Sequence, residues 1–122
     1  MTAAVDERDD PRIAAEGFAS ELAARADEIE RARRLPRALS DRFAAAGFYR
    51  MFVPEAYGGL ETPPQIAMET VERLARADAA SAWCVFIAAT SGSVLASLAP
   101  AAARSIFAGP STLLSGVFAP RG

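Results

Sequence analysis

The chain contains no histidine and no lysine, and its only cysteine is Cys84. Without histidine or a second cysteine, no Ser-His or Cys-His catalytic pair and no His/Cys zinc site can form within it. Without lysine there is neither a P-loop lysine nor a Schiff-base lysine. One cysteine closes no internal disulfide, which fits a reducing compartment, and a cytoplasmic location is expected. The 13 arginines and 15 acidic residues leave a formal net charge of −2. Nucleic acid is therefore not expected as a ligand. Residues 1–12 are rich in Asp, Glu and Arg and lack the basic-then-apolar order of a signal peptide. They are expected to form a disordered tail.

What remains is a largely apolar chain. Hydrophobic residues make up 52% of 122 positions, enough for one domain with one core. Residues 13–34 read as a helix, with Phe18, Leu22, Ala26 and Ile29 at helical spacing. Arg31, Arg33, Arg34 and Arg37 cluster near its end. They read as solvated cations at a helix C-terminus rather than as an anion site. Pro36 opens a second, short helix with Leu39, Phe43 and Ala46 on one face, and Gly47 closes it. A third helix is expected from Thr62 to about Asp78. Thr62 stands as N-cap, Pro63 at the first helical position and Gln65 at the capping-box position. Ala67, Val71, Leu74 and Ala75 form its apolar stripe, with Glu69–Arg73 and Glu72–Arg76 as i,i+4 pairs.

Between the second and third helices lies Gly47-Phe48-Tyr49-Arg50-Met51-Phe52-Val53-Pro54-Glu55-Ala56-Tyr57-Gly58-Gly59-Leu60. Its aromatic and aliphatic start predicts burial. Pro54 stops regular structure and Gly58-Gly59 permits a tight reversal.

No charge occurs from Ala79 to Ala103. That run is long enough to span a bilayer, but Thr90-Ser91-Gly92-Ser93 interrupts it and no basic flank anchors it. A buried central helix is the expectation, with Cys84 as a small buried apolar residue. Pro100 starts a further short helix, ended by Gly109-Pro110. The segment Ser111-Thr112-Leu113-Leu114-Ser115-Gly116-Val117-Phe118 changes period and reads as a first strand.

The order of these motifs resembles a known family. It combines Val53-Pro54-Glu55-Ala56-Tyr57-Gly58-Gly59-Leu60 with Leu74-Ala75-Arg76-Ala77-Asp78-Ala79-Ala80-Ser81-Ala82-Trp83-Cys84. Together they resemble the N-terminal helical domain of the acyl-CoA dehydrogenase superfamily, in a branch near two-component flavin-dependent monooxygenases. The resemblance implies an all-α bundle of about five helices over residues 13–110, with residues 111–122 beginning a β domain. It implies FAD, or FMN in a monooxygenase-like form, held mainly by other domains, and a homo-oligomer when complete. Acyl-CoA or an aromatic small molecule is the implied substrate, and no membrane is implied.

The resemblance also assigns positions. Ser115, Gly116, Val117, Phe118, Ala119 and Pro120 match the segment that meets the flavin, where dehydrogenases typically carry Thr-Glu in place of Phe118-Ala119. Trp83, Thr90 and Ser91 fall where the family's substrate cavity is walled, and Ser91 stands where monooxygenase relatives often carry a histidine. Thr90 and Ser91 also have a structural reading, bonding back to helix carbonyls. The family's carboxylate base lies in a C-terminal region, so no catalytic residue and no metal ligand is assigned here, and the chain alone is expected to be inactive. A non-enzymatic helical interaction module or a truncated gene product is the remaining alternative.

Overall fold

Asp10 and Pro11 start the first helix. In the computed structural model, which describes residues 9–109 and 112–116, α1 runs Pro11–Ala32. The Asp10 carboxylate accepts from the Arg12 N–H at 2.8 Å, and Pro11 occupies the first turn, where a missing N–H has no consequence. This cap places the start two residues before the apolar spacing does. Arg33 ends the helix in the left-handed region at φ 52°.

The second helix, α2, spans Arg37–Ala45 and buries Leu39 and Phe43. Gly47, at φ 81°, turns the chain into a 3₁₀ turn at Phe48–Arg50. Phe48, Tyr49, Met51 and Val53 are buried, as the sequence predicts. Phe18 and Phe43 meet edge to face at 5.0 Å, and Phe48 lies 5.4 Å from Phe43 and 5.7 Å from Phe18. Such pairs add to plain area burial. The Tyr49 and Ser40 hydroxyls share a 2.9 Å hydrogen bond, which satisfies the one polar atom carried into this cluster.

The crossing closes on itself. Leu60 N–H donates to Arg50 O at 3.0 Å, Glu61 N–H to Val53 O at 3.0 Å and Thr62 N–H to Met51 O at 2.7 Å. Gly59 permits this close approach: a Cβ there would sit 1.9 Å from the Val53 carbonyl oxygen.

The third helix, α3, begins at Pro64 and runs to Ala77, with Pro63 as its N-cap and no side-chain cap. The expected Thr62 cap is not formed. A residue before proline is driven to extended backbone, so neither Thr62 nor Pro63 can enter the helix ahead of Pro64. Thr62 is instead buried and bonded to Met51. The Glu72–Arg76 pair forms at 2.7 Å. Glu69 instead meets Arg12 at 2.7 Å, and Arg73 meets Glu16 at 2.5 Å, so these charges tie α3 to α1.

Asp78 ends α3 and caps α4, Ala79–Gly92, its carboxylate accepting from Ser81 N–H at 2.8 Å. A 3₁₀ stretch, Ser93–Ser97, continues the apolar run. The expectation of burial all round holds for one face only. Ala82, Val85, Ala88 and Ala89 are inside, whereas Trp83 is 62% exposed, Val94 is 57% exposed and Cys84 is exposed. Residues Ala79–Ser97 are long and apolar enough to cross a membrane by length and composition alone; 39% of that stretch is buried, and α3 packs on it.

The last helix, α5, spans Pro100–Ile106. A smaller apolar cluster of Val53, Leu95, Ala103 and Phe107, with Tyr57 and Leu114 against it, joins α5 to the crossing. The architecture is an all-α arrangement of five helices, with no strand among the described residues. The strand read over residues 111–118 is described only at 112–116, where no ladder forms.

Candidate functional site

Ser91 lies in the last turn of α4 and points out of the core toward the segment at 112–116. Its side chain is 9% exposed, and its hydroxyl has no hydrogen-bond partner among the described residues. Gly116 faces it so closely that a Cβ at that position would sit 2.9 Å from the Ser91 Oγ. Together with Ser115 they border a cavity of about 320 Å³, open on one side. The rest of its wall is aliphatic: Val94 and Leu95 from the 3₁₀ stretch, Leu98, Ile106 from α5 and Leu114. No charged side chain lines it among the described residues.

Of the sequence-assigned positions, three therefore converge: Ser91, Ser115 and Gly116. Thr90 turns elsewhere. Its Oγ1 donates back to Phe86 O at 2.8 Å and to Ile87 O at 3.3 Å, the structural bonding expected of a helical threonine. Trp83 lies two turns earlier, on another part of the surface. It stacks obliquely on Phe86 at 5.7 Å and lines a separate, open apolar groove of about 300 Å³ with Met68, Val71 and Ala75 of α3. Val117, Phe118, Ala119 and Pro120 lie outside the described residues.

Cys84, expected inside, is exposed on α4 beside Trp83. Partial desolvation, and next the Asp78 carboxylate, push its thiol above the usual range, which keeps it a poor nucleophile at neutral pH.

Arg50 is the functional-region residue that the sequence does not flag. Its guanidinium donates to Gly109 O and, at 3.3 Å, to Gly58 O, and lies 4.8 Å over the Phe107 ring. Desolvation draws its pKa below the ordinary value. The side chain thus ties the crossing to the turn after α5, which carries the chain toward residues 112–116. Its signal, a lone arginine inside an aromatic run, is visible only once the partner carbonyls are known. The aliphatic lining was equally silent, since Val94, Leu98 and Ile106 read as ordinary core.

Comparison with known proteins follows the same outline. Residues 6–106 match the family model described as acyl-CoA dehydrogenase, N-terminal domain. The chain is 33% identical over 105 residues to the indole-3-acetate monooxygenase of Pseudomonas putida, an alignment covering 80% of this chain and 25% of that protein. The chain thus spans about a quarter of that relative's length.

Proposed function

The chain belongs to the acyl-CoA dehydrogenase N-terminal domain family, and from that premise we infer that it forms one wall of the substrate cavity of a flavin-dependent oxidoreductase. The observation that carries this reading is Ser91. A buried hydroxyl without a partner costs about 1–3 kcal/mol, and this one belongs to a residue that borders a cavity, with Gly116 seated over it. A bound molecule offering a hydrogen bond offsets that cost.

The close approach of Gly116 to Ser91 fits a main chain brought up to a ligand without an intervening side chain. Ser115 and Gly116 are the described residues that would meet a flavin from this chain. When bound, a flavin supplies two-electron redox chemistry. The chain's own contribution is an aliphatic wall that excludes water, one hydroxyl that orients the substrate, and backbone at 115–116. It offers no acid or base at the cavity among the described residues, so proton transfer belongs to other parts of the intact protein. FAD, or FMN, is the cofactor of this reading, and other domains or copies of the protein complete the site.

Within this class, we favour a monooxygenase acting on an aromatic molecule with reduced flavin and dioxygen. The similarity to the Pseudomonas putida monooxygenase supports it, as does Phe118-Ala119 where dehydrogenases typically carry Thr-Glu. An acyl-CoA dehydrogenase is the second reading. The test is to express the full open reading frame that contains residues 1–122. Oxygen consumption with reduced flavin and an aromatic substrate supports the first reading. Electron transfer from an acyl-CoA to an external acceptor supports the second. A full-length protein that binds no flavin and does neither overturns both.

A further inference from the structure

Arg50 turns a full positive charge on neutral acceptors. Its guanidinium donates to the carbonyls of Gly58 and Gly109 and lies 4.8 Å over the Phe107 ring, and no carboxylate answers it among the described residues. We propose that Arg50 is a positioning residue: its fork fixes the turn after α5 and thereby sets where the backbone at 115–116 meets the flavin. This rests on reading 115–116 as flavin-facing backbone, and it names the side chain that holds that backbone in place.

The path from Arg50 to the cavity wall is continuous. The Arg50 N–H donates to Gly47 O at 3.0 Å, and the Arg50 carbonyl accepts from Val53 N–H at 3.2 Å and from Leu60 N–H at 3.0 Å. The side chain therefore leaves backbone that the crossing already pins. At its far end, the Gly109 carbonyl offers two lone pairs. It accepts the guanidinium and also the Thr112 N–H, at 3.2 Å, a bond that closes the turn. Beyond Thr112, Leu114 packs on the cluster of Val53, Leu95, Ala103 and Phe107, and Gly116 sits against the Ser91 hydroxyl. Apolar packing is non-directional and tolerates sliding. A hydrogen bond fixes both distance and angle, so Arg50 rather than Leu114 sets the register of the segment. Lysine cannot do the same, because an ammonium is a point charge whereas the planar guanidinium presents its donors at a fixed separation. Desolvating a cation without a counter-charge is costly. A turn needed only for stability can be held by a neutral side chain at less cost. A turn that presents backbone to a cofactor needs the fixed geometry.

The experiment uses the full-length protein and titrates oxidised FMN and FAD, following flavin fluorescence and the visible absorption band. Arg50→Lys keeps the charge and Arg50→Gln keeps one donor group, and neither spans both carbonyls. Each should raise the flavin Kd about tenfold or more and alter the bound-flavin band, at temperatures where the variant is still folded by circular dichroism. In the unaltered protein, flavin should in turn slow hydrogen exchange of the peptide that contains Thr112, because a turn that favours flavin is favoured by it. That arm needs no variant to fold. Folded variants with unchanged flavin affinity and band would make Arg50 a structural brace only and overturn the proposal. So would exchange at Thr112 that ignores flavin. An unaltered protein that binds neither flavin is a different result: it overturns the flavin reading itself, and the proposal with it.

Discussion

The Ser91 Oγ and the Gly116 Cα are held so close that one methyl group at position 116 would lie 2.9 Å from the hydroxyl. This contact joins two segments 25 positions apart and closes the cavity from the C-terminal side. The neighbour that must give way is a rotatable hydroxyl rather than backbone. Gly116→Ala should therefore cost less than about 1 kcal/mol in urea unfolding, with amide shift changes confined to α4's last turn and residues 112–116. A loss above about 3 kcal/mol would mean that the contact is packed core.

Gly59 presents the opposite case, because the obstacle there is the Val53 carbonyl itself. Gly59→Ala must displace backbone, and it also disturbs the bonds from Leu60 and Glu61 that fold the crossing on itself. A loss of about 3 kcal/mol or more is expected by chemical denaturation. Gly17→Ala is the control. It lies on an exposed part of α1 with nothing within 4 Å of an added Cβ, and should stabilise by about 0.5–1 kcal/mol through helix propensity.

Phe43 is fully buried and touches Phe18, Phe48 and Tyr49. Phe43→Ala should cost about 3–5 kcal/mol, enough to unfold much of a marginally stable domain. Loss of the near-UV circular dichroism of the aromatic cluster is the measurement.

Much of this fold was legible because helices announce themselves by spacing. Phe18, Leu22 and Ile29, then Leu39 and Phe43, then Ala67 and Leu74 lie on buried faces as read. Boundaries were less legible where two rules competed. The Asp10-Pro11 cap extends α1 past its apolar pattern, and consecutive prolines at 63 and 64 override the apparent cap at Thr62. Partner choice among charges was not legible either: Glu69 and Arg73 have good helical spacing, yet both turn to α1. A run as uniformly apolar as α4 shows no preferred face, so the outward edge at Trp83 and Cys84 could not be read from it. Ser91, Ser115 and Gly116 were each singled out, but their meeting depends on a tertiary path set partly by Arg50.

Acid should weaken the domain through its paired carboxylates. Hydrogen bonds from Arg12 lower Asp10 and Glu69, one from Arg42 lowers Glu21, and one from Arg25 lowers Glu28. A carboxyl depressed on folding stabilises fully above its unfolded value of about 4 and loses that contribution as pH falls through the lowered folded value. The urea midpoint should hold at neutral pH and drop between about pH 5 and 2. Arg12→Ala should lower it at neutral pH and converge with the unaltered chain at the acid end. Parallel curves at every pH would show that Arg12 contributes packing alone.

The most direct measurement is turnover of the full-length protein with a filled pocket. Ser91→Leu places an aliphatic side chain in the cavity bordered by Leu95, Ile106 and Leu114 and removes the hydroxyl. With reduced flavin, dioxygen and the aromatic substrate, the variant should lose at least about 90% of kcat/KM, a loss of about 1.4 kcal/mol in transition-state binding. A variant that keeps full kcat/KM would contradict the assignment of this wall to the substrate cavity.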